Sequence, residues 1–333
     1  MRIGLVGVGR IGAFHAATLK GLPAVEQVVV ADADASRAEV VAKELGLEYA
    51  ADVDTLLRQG LDGFVIAAAT SAHAALIAKG LEAGLATFCE KPVAQDLADT
   101  QRVVAQVEAG DVPVHIGFQR RFDVGYRAAA QKVAAGELGW IHHIRTNTND
   151  ASPPPQEYIP TSGGFFRDCT VHDFDIIRFV TGREVVSVFA TGANRGEAFF
   201  GQYGDVDAAA ALLTLDDSTF VSASGTRYNA AGHDVRMEVL GSLGSIAVGL
   251  DDHTALVSVE PGVAFPAGKP HGTFMDRFRP AYVAELTAFT EVVAGTREVP
   301  CTVRDALQAF RIADACELSR HENRVVELKE IGR

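Results

Sequence analysis

Three glycines, in the order Gly7-Val8-Gly9-Arg10-Ile11-Gly12, stand directly behind a β-branched run at residues 3–6 and in front of an apolar-periodic stretch. A strand that turns on such glycines straight into a helix commits the chain to a βαβ beginning, because the tight turn and the close helix–strand approach leave no room for a Cβ. The same turn presents backbone N–H groups at a helix N-terminus, where partial positive charge suits a pyrophosphate. The second strand ends at Asp32, twenty residues past Gly12, where a carboxylate accepts hydrogen bonds from the hydroxyls of an adenosine ribose. Together these predict a dinucleotide site built from Gly7, Gly9, Arg10, Ile11, Gly12 and Asp32. A carboxylate there repels a 2′-phosphate, so NAD is expected over NADP; Arg37, just beyond the strand, is the residue that would pair with such a phosphate.

The βαβ rhythm continues through runs at residues 28–31, 63–67, 87–89 and 112–116, with helical periodicity between them. Ala35–Leu45 carries apolar Ala38, Val41, Ala42 and Leu45 on one face, with Asp34 or Ser36 as N-cap and Gly46 as the stop. Past residue 120 a polar, Pro-rich loop is expected over 147–164, then one helix. Strands follow in succession at 185–190, 206–215, 219–226, 235–240 and 245–248, and two helices at 281–294 and 303–319. The fold expected is α/β: a doubly wound parallel Rossmann sheet over 1–120, then an α+β domain over 121–333 with a large, mostly antiparallel sheet. The last helices are free to pack back on the first domain.

With 333 residues the chain is long enough for two cores. Thirty basic against 43 acidic residues leave a formal charge of −13 and no basic stretch, which excludes nucleic acid as a partner. Cys89, Cys169, Cys301 and Cys316 are scattered without zinc-like spacing, so they read as reduced thiols of a cytoplasmic protein, with no structural metal. No apolar run reaches membrane-spanning length.

Cys89-Glu90-Lys91-Pro92, closing the strand at 87–89, resembles the glucose–fructose oxidoreductase/inositol dehydrogenase (Gfo/Idh/MocA) family. Gly117-Phe118-Gln119-Arg120-Arg121-Phe122-Asp123 and the stretch from Ser162-Gly163-Gly164 through Asp168, His172-Asp173-Phe174-Asp175 agree with it over essentially the whole chain. Asp150 followed by Ser152-Pro153-Pro154-Pro155-Gln156-Glu157-Tyr158-Ile159 is similar to the inositol 2-dehydrogenases of that family. The resemblance implies an open-faced second sheet that forms homo-oligomers, tetramers or dimers. It also implies that Glu90 steadies Lys91 and touches the cofactor, that Gln119 lies near the nicotinamide, and that Arg121, Asp150 and His233 face the substrate. The chain departs from the family pattern at His233, where tyrosine is usual, at Asn149, where arginine is usual, and at Thr70-Ser71-Ala72-His73, which lacks the usual proline. Thr70 and His73 are still expected beside the cofactor.

The reacting groups can also be read from chemistry. Asp168 and His172 lie four apart on a predicted helix, so both project from one face, and a carboxylate beside an imidazole fixes its tautomer and tunes its basicity. Hydride loss from a secondary alcohol needs its hydroxyl proton removed, and Lys91 at a strand's carboxyl end supplies positive charge and a proton relay. A metal reading of Asp168, His172, Asp173 and Asp175 is set aside because the last two leave that face. Arg120, Asp123 and Arg167 are expected in structural ion pairs. The leading expectation is an NAD-dependent dehydrogenase of a cyclic polyol, with myo-inositol oxidised to its 2-keto form. The alternatives are an aldose or anhydro-sugar oxidoreductase of the same family and, from another class, a non-catalytic NAD-binding sensor.

Overall fold

The computed structural model describes residues 1–332, which form two units. One is Met1–Gln119 with Pro280–Leu307; the other is Arg120–Arg279 with the chain from Gln308 on.

In the first unit the elements run β1 (Arg2–Val6), α1 (Arg10–Lys20), β2 (Gln27–Ala31), α2 (Ala35–Leu45), β3 (Glu48–Tyr49), α3 (Val53–Leu57), β4 (Gly63–Ile66), α4 (Thr70–Glu82), β5 (Ala86–Glu90), α5 (Leu97–Glu108) and β6 (Val114–Gly117). All six strands pair in parallel in the order β3-β2-β1-β4-β5-β6. Strands covered on both faces need unbroken apolar runs, and Val28, Val29, Val30 and Ala31 are all buried. Ala16 and Leu19 of α1 and Ala38 and Ala42 of α2 close on Ile3, Leu5, Val28 and Val30, together with Leu286 and Phe289 from the later part of the chain. Asp34 caps α2 by accepting from the Ser36 and Arg37 amides, an interaction typically contributing about 1 kcal/mol, and Gly46 ends it in the left-handed conformation. Strand order reverses at β1 and β4, and the glycine turn sits at the carboxyl end of β1, where open α/β sheets bind their ligands.

The second unit contains α6 (Val124–Ala134), β7 (Ile141–Asn149), α7 (Ile159–Ser162), α8 (Val171–Thr181), β8 (Val185–Ala193), α9 (Phe199–Gln202), β9 (Ala208–Leu215), β10 (Phe220–Thr226), β11 (Asp234–Gly241) and β12 (Ser245–Val248). Two long helices follow, α10 (Phe274–Val293) and α11 (Val303–Glu322), each shared between the units, and β13 (Val326–Glu327) ends the sheet. The seven strands lie in the order β12-β11-β7-β10-β9-β8-β13, antiparallel except for β7 with β10. Ile144, Val188, Leu213, Val221, Met237 and Val239 bury one face. The other carries Phe189, Thr191, Ala210, Leu212, Ser222 and Ser224 around a shallow groove.

Several sequence expectations are corrected here. Residues 147–149, expected in a loop, finish β7, an interior strand of the sheet, and the rest of the expected loop contains α7 and a short 3-10 turn. β7 has no apolar alternation because Thr146 and Thr148 occupy its buried face. The predicted single helix is a π-helical turn, Phe166–Thr170, leading into α8, so Asp168 and His172 do not share one regular α-helix. α10 begins seven residues before the expected 281 and runs through Pro280, which reads as a breaker in sequence.

Buried and part-buried ion pairs brace this unit. Arg120 pairs with Asp173 at 2.9 Å while the Thr148 hydroxyl donates to the same carboxylate. Arg277 meets Asp123 at 2.7 Å, and Arg167 meets Asp314 at 2.6 Å. Arg120, Asp123 and Arg167 thus stand in ion pairs, as their sequence reading has them. No helix among the described residues is long and apolar enough to cross a membrane.

Candidate active site

The glycine turn is shaped for close approach. Gly7 has φ +91°, and a Cβ there would strike the Ala68 backbone; a Cβ on Gly12 would overlap the Gly7 carbonyl oxygen, while Gly9 faces open space. Gly9 precedes α1 without a side-chain cap, so the amides of Arg10 and Ile11 head a helix whose first turn holds no acidic residue. Asp32 is drawn to the same place: its carboxylate accepts from the Val8 amide at 2.8 Å and from the Asp34 amide at 2.9 Å. Arg37 is more than half exposed and lies 3.6 Å from that carboxylate. These residues fit a dinucleotide: a glycine turn open at Gly9, a helix N-terminus without a side-chain cap and a fixed carboxylate at the end of β2.

Thr70 opens α4. His73, one turn on, is buried with its ring nitrogens 2.7 Å from the Pro92 carbonyl and 3.1 Å from the Ala68 carbonyl, so it joins the loops after β4 and β5. Glu90 ends β5 and lies 2.6 Å from His15 of α1. Lys91 follows it, half-buried at the strand's carboxyl end, and Gln119 is buried in the 3-10 turn that begins after β6.

In the second unit the charged side chains converge on a residue that sequence reasoning missed. Arg227, just past β10 and buried, donates to Asp150 at 3.0 Å and to Asp168 at 2.7 Å, and its guanidinium lies over the Phe165 ring. The Tyr158 hydroxyl donates to the other Asp168 oxygen at 2.8 Å. His233 places Nδ1 3.5 Å from Asp150, and its Nε2 is buried with no hydrogen-bond partner. Burial alone would raise the Asp150 carboxyl; the His233 hydrogen bond and the Arg227 guanidinium outweigh it and hold Asp150 below the usual carboxylate range. Burial also opposes the Arg227 cation, and the two flanking carboxylates push it well above its ordinary value. Asp150 and Asp168 are thereby gathered round one guanidinium, with His233 beside Asp150, and His172 is half-buried in the first turn of α8. Arg121, expected to face substrate, places its guanidinium on Asp175 in a buried two-point pair, at 2.8 and 2.6 Å.

The signal for Arg227 lay in the sheet. β10 runs parallel to β7 with Thr226 opposite Asn149, which sets the next residues, Arg227 and Asp150, side by side. Without β7 that register cannot be read.

Two family models match the chain: an oxidoreductase family with an NAD-binding Rossmann fold over residues 1–118, and the GFO/IDH/MocA C-terminal domain over residues 126–247. The chain is 39% identical to a myo-inositol dehydrogenase of Streptomyces leeuwenhoekii over 322 residues, 96% of this chain and 97% of that protein. Among solved structures it is similar to a probable dehydrogenase from Thermotoga maritima, with TM-score 0.92 and 31% identity over all of both chains. It is also similar to scyllo-inositol dehydrogenase from Lactobacillus casei with bound NAD(H) and scyllo-inositol, with TM-score 0.87 and 28% identity, covering 99% of each chain.

Proposed function

Because this chain belongs to the GFO/IDH/MocA family of NAD-binding oxidoreductases, we propose that it oxidises one secondary hydroxyl of a cyclic polyol, with myo-inositol converted to its 2-keto form. The observation that carries this reading is the Asp150–Arg227–Asp168 cluster with the buried, unpartnered His233 Nε2. A polyol offers little apolar surface, so recognising it takes fixed donors and acceptors, and this cluster supplies them preorganised. The inositol dehydrogenases among its relatives support the substrate class.

Gly7, Gly9, Gly12, the amides of Arg10 and Ile11, and Asp32 are the residues that would hold NAD, which would supply the hydride acceptor. His172 takes the hydroxyl proton as general base, Asp168 orients and polarises that imidazole, and Lys91 stabilises the developing alkoxide and relays the proton. Asp168 is itself fixed by Arg227 and Tyr158, so its direction is set before substrate arrives. Asp150 and His233 bind the remaining hydroxyls. Homo-oligomers form through the open sheet face, and the four buried cysteines, all present as thiols, support residence in the cytoplasm.

The test is NADH formation measured with a panel of inositol epimers, aldoses and anhydro-sugars, each with NAD and with NADP. Myo-inositol with NAD is expected to have the highest kcat/KM. A better aldose would move the substrate class, and tight NAD binding without turnover of any polyol or sugar would leave a sensor. Asp32→Ala should narrow the preference for NAD, since it removes the charge opposed to a 2′-phosphate; NADP used as well as NAD by the unaltered protein would reject that role.

A further inference from the structure

His15 stands in the second turn of α1, three residues past the last glycine of the dinucleotide turn, with no exposed surface. Its ring packs edge-on against Phe88 and Tyr282 and at a tilt to Phe14. Within that apolar box it makes one polar contact, Nε2 to the Glu90 carboxylate at 2.6 Å, while Nδ1 is buried with no hydrogen-bond partner. A buried N–H without an acceptor costs more than a bare ring lone pair, so the proton belongs on Nε2, where it is donated to Glu90. The carboxylate is confined from the other side as well. A Cβ at Gly117 of β6 would come within 3.2 Å of it, so the glycine leaves the space that Glu90 fills. Glu90 is the last residue of β5 and Lys91 is the next residue of the chain.

We propose that His15 is a positioning residue: through Glu90 it ties the dinucleotide-binding helix to the strand end that carries Lys91, and so sets the ammonium for proton transfer. The inference rests on the role given to Lys91 in polyol oxidation. A hydrogen bond to an ionised carboxylate is short and directional, and a displacement of about 1 Å at a reacting group can cost about a hundredfold in rate. Helix and strand end then move together, so the turn that cradles the pyrophosphate and the ammonium that handles the proton keep one spacing.

The test compares His15→Phe, which fills the same box without a donor, with His15→Gln, whose amide can still donate to Glu90. With NAD and myo-inositol, His15→Phe should lower kcat by about tenfold to hundredfold and leave the KM for NAD within about threefold, while His15→Gln should regain most of the loss. If His15→Phe does not accumulate folded, His15→Asn, too short to reach Glu90, replaces it. In the unaltered protein, nitrogen NMR of labelled histidine should show the ring protonated on Nε2, its signal identified by its loss in His15→Gln. Unchanged kcat in His15→Phe, His15→Gln no faster than His15→Phe, or a ring protonated on Nδ1 would overturn the proposal. If the unaltered protein turns over no polyol, the functional reading fails and takes the role of Lys91 with it, whereas a ring protonated on Nδ1 in an active enzyme overturns the His15–Glu90 tie alone.

Discussion

Lys91 and His172 carry the proposed proton transfer, and each should be separable from binding. Lys91→Ala and His172→Ala are expected to lower kcat by about 10²–10⁴-fold while NADH affinity, followed by fluorescence, changes little. Near-normal turnover in either variant removes that residue from the mechanism. Asp150 offers a check that needs no turnover. Its carboxyl is held below its ordinary value of 3.8, so the stability it contributes is complete above that value and is lost as pH falls through its lower folded value. The melting-temperature gap between the unaltered protein and Asp150→Asn should therefore be widest near neutral pH and close below about pH 3.8. An equal gap at about pH 3 and about pH 7 would show that His233 and Arg227 do not hold the carboxylate low. At this scale the glycines and Asp32 were legible in sequence, because their chemistry is local to one βαβ unit. Arg227 was not, because its meaning depends on two carboxylates 77 and 59 positions away along the chain.

At the scale of elements, legibility followed the apolar pattern. In the first unit the longer strands are largely apolar runs and helix α2 has both ends marked, so these elements could be read directly, whereas the exposed two-residue β3 carries no such run. β7 escaped because its buried side chains include Thr146 and Thr148, and Thr148 hydrogen-bonds to Asp173 rather than filling an apolar core. The π-helical turn escaped for a different reason: Phe166, Cys169 and Thr170 are buried in a spacing that sequence cannot tell from an α-helical one. The glycine turn is the element whose geometry predicts most. Gly12→Ala would drive a Cβ into the Gly7 carbonyl oxygen, so α1 must shift away from β1. NADH binding should fall by at least about tenfold, with the parallel sheet retained by circular dichroism. Full NADH affinity in Gly12→Ala would mean that this turn is not the cofactor cradle.

At the scale of the molecule, the unexplained surface is the uncovered face of the seven-stranded sheet. Leu212 on β9 and Phe220 on β10 are 56% and 51% exposed there, beside Phe189, Ala210, Ser222 and Ser224. Single exposed apolar residues are ordinary, but a contiguous face of small and apolar side chains across central strands is what a sheet-to-sheet interface needs, since small residues let two faces approach closely. The charged residues that line the groove are paired, Arg145 with Glu238 at 3.0 Å and Arg236 with Asp234 at 2.9 Å, which leaves none of them as an uncompensated charge to oppose burial. A second copy of the same face is self-complementary in the way a twofold interface requires. The protein is therefore expected to run as a dimer or tetramer by light scattering. Leu212→Glu combined with Ala210→Glu sets new carboxylates at alternate positions of one strand, where association would bring them against their symmetry mates without compensation. This double variant should dissociate toward the monomer while keeping its far-ultraviolet spectrum and NADH affinity, because neither residue belongs to the buried face or to the nucleotide-binding unit. A monomeric unaltered protein, or a double variant with unchanged mass, would mean that copies do not meet through this face.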